Sequence, residues 1–260
     1  MTRRLLSLAA GVMIDVPPAD VVRAAAIAGW PACGIWFDPE VWTDAGEREI
    51  RRRLDDTGVV PLDIEPIIVG PGPDPTDRLV AAAAGLGARF ILFTSRVGDW
   101  PLVIERFGRA CDLAAAADPN LVVVYEFLPI FPIATLAEAH RVVREADRPN
   151  SGILIDNLHL RSSGATPAAV QGYDLSLFPY VQIADAPPAV PEGGVAALVD
   201  EALHGRSWPG DGGLPIAELM TAVPDVPISY EVRSRATRDG WPDPVERARY
   251  GWSRVRHVTG

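Results

Sequence analysis

Short apolar runs alternate along the chain with longer stretches whose apolar positions have helical spacing. The runs are rich in β-branched residues and bounded by glycine, proline or polar residues, which is typical of buried strands. Eight such runs cover 5–12, 33–37, 59–67, 90–95, 121–129, 152–160, 180–186 and 226–232. The segments between and after them predict helices near 18–29, 44–57, 76–84, 99–117, 135–147, 166–171, 195–204, 215–222 and 243–257.

This alternation predicts a parallel sheet covered by helices, because parallel strands need crossover connections and are buried on both faces. Eight strand–helix units in 260 residues match the size of a (β/α)8 TIM barrel. We therefore predict one TIM-barrel domain over 1–260. The competing architecture is a doubly wound sheet, which needs no eighth strand and usually has a glycine-rich first turn that this sequence lacks.

The chain begins MTRRLLSLAAGV, where two arginines precede apolar and small residues, as in short secretory signal peptides. We interpret this stretch as the first buried strand, because the barrel requires one at this point. No apolar run approaches the ~18–20 residues of a membrane span. We therefore expect a cytoplasmic protein.

Composition narrows the classes of ligand. The net charge of −10 repels phosphate backbones and anionic lipids, so we expect neither nucleic acid nor a membrane as partner. All 24 basic residues are arginine, which excludes lysine Schiff bases and P-loop lysines. Cys33 and Cys111 are expected to be buried thiols. A small molecule is the expected ligand, and a homo-oligomer remains possible.

Polar side chains follow the apolar part of four successive predicted strands. They are Glu126 on strand five, Asp156 on strand six, Gln182 and Asp185 on strand seven, and Glu231 on strand eight. In a TIM barrel the carboxyl ends of the strands carry the active site. We therefore expect these side chains to converge on one cavity.

Three carboxylates converging on one cavity would repel one another strongly unless a cation lies between them. Carboxylate and amide oxygens are hard donors, which suit Mn²⁺ or Mg²⁺, with Co²⁺ possible, better than a thiolate-rich zinc site. The pattern therefore predicts a divalent-metal site at the carboxyl ends of strands five to eight.

The chain resembles the xylose isomerase-like TIM-barrel superfamily of sugar isomerases, ketose epimerases and related dehydratases. The resemblance covers nearly the whole chain and is strongest over 121–232. It implies that Glu126, Asp156, Gln182 and Glu231 hold the metal. Most members have histidine where this chain has Gln182.

Glutamine at this position is a feature of some dehydratases of the superfamily, notably 3-dehydroshikimate dehydratase-like enzymes. Those enzymes also resemble this chain in the stretch QIADAP and in the spacing of Asp156 and His159. Arg206, in the segment GRSWPGDGG (205–213), matches a family arginine that contacts substrate oxygens. The resemblance thus implies a substrate-binding role for Arg206.

His159 is the one histidine expected near the site, just beyond strand six, where it could carry a proton at neutral pH. His140, His204 and His257 lie in predicted helices or at the tail and are expected at the surface. Glu65, at the end of strand three, is a further residue that could line the pocket, but we do not include it in the predicted site.

The predicted chemistry is proton abstraction next to a polarised carbonyl. A bound cation stabilises the resulting enolate or enediolate, Glu126 or Glu231 removes the α-proton, and His159 or the opposite glutamate returns a proton. Return to carbon isomerises or epimerises the substrate, and loss of a β-hydroxyl dehydrates it.

Three functions fit the sequence. The first is a metal-dependent isomerase or epimerase of a sugar or polyol, the commonest activity of the resembled superfamily. The second is a dehydratase of the 3-dehydroshikimate or keto-inositol type, with a cyclic keto-acid among the possible substrates. The third is a metal-free barrel that only binds carbohydrate or a partner protein.

Overall fold

The computed structural model describes residues 4–257, which form a closed barrel of parallel strands in the order of the sequence. The strands are β1 Leu6–Leu8, β2 Ala32–Trp36, β3 Val60–Val69, β4 Phe90–Ser95, β5 Val122–Glu126, β6 Ser151–Asp156, β7 Val181–Ile183 and β8 Ile228–Tyr230. β1 pairs with both β2 and β8, which closes the barrel. The predicted TIM-barrel fold is confirmed.

Helices separate the strands and cover the outside of the barrel. They are α1 Pro18–Ala28, α2 Asp44–Thr57, α3 Thr76–Leu86, α4 Trp100–Ala117, α5 Leu136–Ala146, α6 Asn157–Ser162, α7 Pro167–Val170, α8 Gly194–His204, α9 Ile216–Ala222, α10 Arg235–Gly240 and α11 Pro244–Val255. Gly58 and Gly87 end α2 and α3 in the left-handed conformation that glycine adopts without strain. None of the helices within 4–257 is long and apolar enough to cross a bilayer.

Several strands are shorter than their apolar runs. The first run, 5–12, supplies only three strand residues before the chain turns into a 3₁₀ helix at Ala10–Met13. The buried strand predicted here is confirmed, while residues 1–3 of the start considered as a signal peptide lie outside the described part of the chain. The sixth run stops at Asp156, whose side chain caps α6 by accepting from the backbone N–H groups of Leu158 and His159.

Two clusters make up most of the buried core, and a small third one consists of Leu158, Ala186, Ala202 and Leu214. The larger of the two main clusters lies between the barrel wall and the helices and includes both thiols, Cys33 and Cys111, which are free and buried. The smaller of the two fills the barrel interior, where the rings of Phe90 and Tyr180 stack with their centroids 4.6 Å apart. This interior plug closes the amino-terminal end of the barrel and leaves the polar side chains at the opposite end.

Candidate active site at the carboxyl ends of the strands

A cavity of about 470 Å³ opens at the carboxyl ends of the strands. Its polar lining includes Glu65, Glu126, His159, Arg206 and Glu231, and α8 covers part of it with apolar side chains. These polar residues are all buried despite carrying ionisable groups. Buried ionisable groups clustered in a cavity are typical of a functional site.

Strand register explains why the predicted residues meet. Asp156 pairs with Gln182 across β6 and β7, and Gln182 pairs with Ser229 across β7 and β8. Residues paired across parallel strands lie on the same face, here the barrel interior. Glu126 ends β5 and Glu231 directly follows β8, so both lie at the rim of the same interior face.

Arg206 lies among the carboxylates, deeper than a loop arginine that only contacts substrate. Its Nη1 donates to Asp156 Oδ2 and lies 3.0 Å from Glu231 Oε2. Its Nε donates to the Ala202 carbonyl at 3.0 Å, and its Nη2 lies 3.2 Å from His159 Nε2. The guanidinium therefore neutralises charge at the site and fixes the positions of two of the predicted metal ligands.

One guanidinium does not balance the carboxylates around it. Burial would raise the pKa of Asp156, but the charge and hydrogen bond of Arg206 outweigh it and hold that pKa at about 2. Burial raises the pKa of Glu231 to about 7, although Arg206 opposes the shift. Burial, with the charges of Glu231 and Asp156, raises the pKa of Glu126 well above its usual range. The site is therefore short of positive charge.

His159 is a neutral base in this environment. Burial lowers its pKa to about 4, even though the charge of Asp156 favours the protonated ring. Since an arginine can only donate, the contact with Arg206 Nη2 assigns Nε2 as the acceptor and leaves the proton on Nδ1. Nε2 also lies 3.9 Å from Glu126 Oε1, so the imidazole ring, Glu126 and Arg206 form one cluster.

Gln182 is fully buried, and its contacts are few. Its Nε2 donates to Glu65 Oε2 at 3.5 Å, while its Oε1 has no hydrogen-bond partner within the described residues. A buried amide oxygen without a partner is costly. This oxygen is therefore free to accept from, or coordinate to, a group that reaches it inside the barrel.

Gly11, in the 3₁₀ helix after β1, allows the close approach of the segment after β8. A Cβ at this position would lie 2.6 Å from Glu231 Oε1 and 2.9 Å from Arg233 Cγ. A side chain here would displace the carboxylate. The first βα loop thus takes part in positioning Glu231.

Two arginines on the cavity wall were not anticipated from the sequence. Arg96 follows β4 and lies over the ring of Phe131 at 5.8 Å, and Arg233 lies over Trp36 at 5.7 Å. Neither forms an ion pair with any residue in 4–257. The sequence feature that could have identified both is an arginine directly after an apolar strand run.

Asp185 does not reach the cavity, although it follows β7. Its carboxylate accepts from the backbone N–H groups of Gly210 and Leu214, at 2.9 and 3.0 Å. It therefore organises the 205–214 loop, and an antiparallel bridge from Asp185 to Ser207 holds the base of that loop next to Arg206.

The donor set suits a divalent cation. Glu126, Asp156 and His159 each place one ligand atom within 4.8 Å of the others. The carboxylate of Glu231 adds oxygen donors 3.0 Å from Arg206 Nη1. Asp156 Oδ2 and His159 Nε2 already contact the guanidinium of Arg206, so a cation at these atoms would displace that group from them. Because the pKa of Glu126 and that of Glu231 are raised, a cation here would remove electrostatic repulsion.

Comparison with known proteins agrees with this architecture. Residues 22–252 match the family model described as xylose isomerase-like TIM barrel. The 3-dehydroshikimate dehydratase of Pseudomonas aeruginosa is 25% identical over 78% of this chain. The match covers 33% of that protein, so this chain spans about a third of the length of the curated relatives it matches.

Solved structures share the fold at low identity. The IOLI protein, whose crystal structure contains a zinc atom, superposes with a TM-score of 0.81 at 16% identity and covers 99% of this chain and 98% of its own. D-psicose 3-epimerase from Clostridium cellulolyticum, solved with D-tagatose, superposes with a TM-score of 0.72 at 15% identity, covering 99% of each chain.

Proposed function

Since this chain belongs to the xylose isomerase-like TIM barrel family, we propose that it is a divalent-metal-dependent enzyme that removes a proton next to a carbonyl group. We propose further that its substrate is a cyclic hydroxylated keto acid of the 3-dehydroshikimate class, and that the reaction is loss of water. From the sequence alone, isomerisation or epimerisation ranks first, because it is the commonest activity in the resembled superfamily. The 25% identity to a 3-dehydroshikimate dehydratase and the arginines of the cavity wall support our choice of dehydration as the first candidate.

The observation that carries this proposal is the pair of arginines on the cavity wall. Arg96 and Arg233 have no ion-pair partner within 4–257, in a protein whose net charge is −10. Guanidinium groups on a cavity wall that make no direct ion pair can bind the carboxylate of a ligand in a bidentate contact. A neutral sugar would offer neither arginine such a partner.

Glu126, Asp156, Gln182 and Glu231 are proposed to hold the cation. When bound, the cation would polarise the substrate carbonyl and stabilise negative charge that develops on its oxygen. The Mn²⁺ or Mg²⁺ expected from the oxygen donors stays a prediction. The zinc atom in the IOLI structure makes Zn²⁺ a third ion to include in tests.

The side chains of the cavity carry out the proton transfers. Glu126 takes the α-proton as its C–H bond breaks and then gives that proton to the departing β-hydroxyl. His159 lies 3.9 Å from Glu126 Oε1 and positions this carboxylate, while Glu231 stays ionised as a ligand of the cation. The C–H electron pair becomes the new C=C bond, the C–O bond breaks, and the hydroxyl leaves as water. Arg206 keeps Glu231 and His159 in place during these steps.

The test is incubation of metal-loaded protein with 3-dehydroshikimate. Loss of one water from this ring leaves an aromatic acid, which ultraviolet absorbance and mass spectrometry both detect. We expect turnover with Mn²⁺, Mg²⁺, Co²⁺ or Zn²⁺ and none after chelation. No turnover of keto acids with any of these ions, under conditions where the ion binds, would contradict the dehydratase assignment.

Epimerisation or isomerisation is the second candidate. It is favoured by the placement of Glu126 and Glu231 on non-adjacent strands, because one carboxylate could remove a proton and the other return it to carbon. Incubation of keto sugars and inososes in D₂O tests it. Deuterium incorporation without loss of water would support this candidate over dehydration.

A further inference from the structure

Strand β3 departs from regular pairing where it reaches the cavity. Its register shifts against β2 between Cys33 and Ile35, and against β4 between Ile64 and Ile67. A bulge of this kind redirects the side chains that follow it. Asp63 and Glu65 both become buried polar residues, and Glu65 lines the cavity.

Glu65 reaches across the barrel to Gln182. The strands β3 and β7 are four positions apart in a ring of eight, so they face each other across the interior. Gln182 Nε2 donates to Glu65 Oε2 at 3.5 Å, across 117 residues of sequence. Within the described residues this is the one hydrogen bond that the side chain of Gln182 forms.

The contact distinguishes the two ends of the glutamine amide. In this contact the NH₂ end of Gln182 donates to Glu65 Oε2, so the carbonyl end of the amide faces away from Glu65. That carbonyl oxygen, Oε1, is buried and has no hydrogen-bond partner in 4–257. Without the carboxylate, the amide could turn by half a revolution and present N–H groups to a cation, which would repel it.

We propose that Glu65 is a positioning residue that orients Gln182 so that its amide oxygen faces the cation. The proposal rests on the proposed function, because it requires a cation at the site. It assigns Glu65 no contact with substrate or ion. A histidine in place of Gln182 would offer a nitrogen ligand, whereas glutamine has two ends of similar shape, and only one of them can bind a cation.

The test is a double-mutant cycle on Mn²⁺ affinity, measured by isothermal titration calorimetry on metal-free protein. Glu65→Gln keeps the size of the side chain but presents both a donor and an acceptor, so it no longer selects one amide orientation. Loss of a partner that orients a metal ligand commonly costs about 10–100-fold in affinity. We expect a loss of this size for Glu65→Gln, and at least as large a loss for Gln182→Met.

The cycle separates positioning from other effects. If Glu65 acts through Gln182, adding Glu65→Gln to Gln182→Met produces no further loss of Mn²⁺ affinity. If Glu65 binds the ion itself, or acts only by its charge, the two losses add and the proposal is wrong. Wild-type affinity in Glu65→Gln would also overturn it.

Asp63→Asn is the matched control. Asp63 is a buried carboxylate on the same strand, and it makes no side-chain hydrogen bond to Gln182. We expect its Mn²⁺ affinity to stay within about threefold of wild type, and a loss equal to that of Glu65→Gln would overturn the proposal. Near-ultraviolet circular dichroism checks that each variant is folded, and Glu65→Met repeats the test with a side chain of similar length.

The outcome for the wild-type protein separates this inference from the proposed function. If the wild-type chain binds no Mn²⁺, Mg²⁺, Co²⁺ or Zn²⁺, both the proposed function and the role of Glu65 are wrong. If it binds Mn²⁺ and the cycle is additive, the metal site stands and only the role of Glu65 is wrong.

Discussion

Two buried arginines of this barrel lie in opposite electrostatic situations. Arg247, on α11, is 1% exposed and donates to both carboxylate oxygens of Asp15, at 2.6 and 3.0 Å. Its Nε donates to the Trp241 carbonyl at 2.9 Å. One cation meets one anion there, and the pKa of Asp15 is lowered, chiefly by the hydrogen bond from Arg247. This pair ties the carboxyl-terminal helix to the first βα loop.

Arg206 is 3% exposed, but it faces more anions than it can neutralise. It pairs with Asp156 and Glu231, and Glu126 lies nearby with a pKa well above its usual range. A fold gains nothing from burying an excess of like charge. The comparison teaches that a buried arginine balanced by one carboxylate at the surface indicates structure, whereas an unbalanced buried cluster in a cavity indicates a site for a charged ligand.

The largest expected effect comes from removing a carboxylate of the unbalanced cluster. Glu126→Gln should lower turnover of the substrate by about 10²–10⁴-fold, because it removes the proposed base and an oxygen ligand. Steady-state kinetics on metal-loaded protein measures this. Glu105→Gln, an exposed position on α4, is the control and should keep wild-type turnover. Equal turnover in the two variants would remove Glu126 from the mechanism.

The variants Arg206→Met and Arg247→Met compare the two regions directly through their unfolding free energies. Removing one partner of a buried pair costs about 3 kcal/mol of unfolding free energy, and we expect this order for Arg206→Met without metal. Arg247→Met should cost less, because the Asp15 carboxylate that it leaves is exposed to water. Mn²⁺ should then stabilise Arg206→Met more than wild type, because the ion replaces the missing cation. It should stabilise Arg247→Met only as much as wild type. Thermal unfolding with and without Mn²⁺ gives both values, and equal metal responses would refute the contrast.

The pH dependence of metal binding should follow the cluster around Arg206. The pKa of Glu231 is raised to about 7, so below pH 7 its carboxyl group is protonated and the ion must displace that proton. Mn²⁺ affinity should therefore fall by about tenfold per pH unit below 7 for each proton released. Calorimetry in buffers of different ionisation enthalpy counts the protons. The Asp15–Arg247 pair should contribute nothing in this range, because the pKa of Asp15 is lowered.

The smallest effect concerns the unpaired arginines of the cavity wall. Arg233→Met should raise KM for a keto acid by about five- to tenfold, through loss of a charge-assisted hydrogen bond to the substrate carboxylate. It should leave KM for a neutral keto sugar unchanged if such a sugar reacts. Arg52→Gln, on the exposed face of α2, is the charge-matched control. An equal change in KM for both substrates would argue against an acid substrate.

Much of the fold and of the site follows from local sequence pattern. Parallel strands keep one face towards the barrel interior, so a polar residue at the end of an apolar run identifies a position at the cavity. This logic predicts that Glu126, Asp156, Gln182 and Glu231 lie at one end of the barrel. The structure groups Glu126 and Asp156 with His159 and places Glu231 beside Arg206, whereas the side chain of Gln182 contacts Glu65. The prediction depends only on the strand period and on the order of the strands around the barrel.

The remaining features depend on long-range geometry. Pro61 and Pro66 in VVPLDIEPI indicate an irregular strand, but they do not specify that Glu65 contacts Gln182 on the opposite side of the barrel. The depth of Arg206 depends on a bridge between residues far apart in sequence. Asp185 follows the same pattern as the site residues yet binds backbone N–H groups of the 205–214 loop. A strand-end pattern therefore predicts that a side chain is near the cavity, but not which partner it finds.

The most direct test of the central claim is an Mn²⁺ titration followed by the electron paramagnetic resonance signal of the free ion. If the buried carboxylates around Arg206 form a cation site, wild-type protein should remove one Mn²⁺ per chain from solution. The double variant Glu126→Gln, Glu231→Gln should remove none. Equal binding by both proteins, or no binding by wild type at neutral pH, would contradict the account.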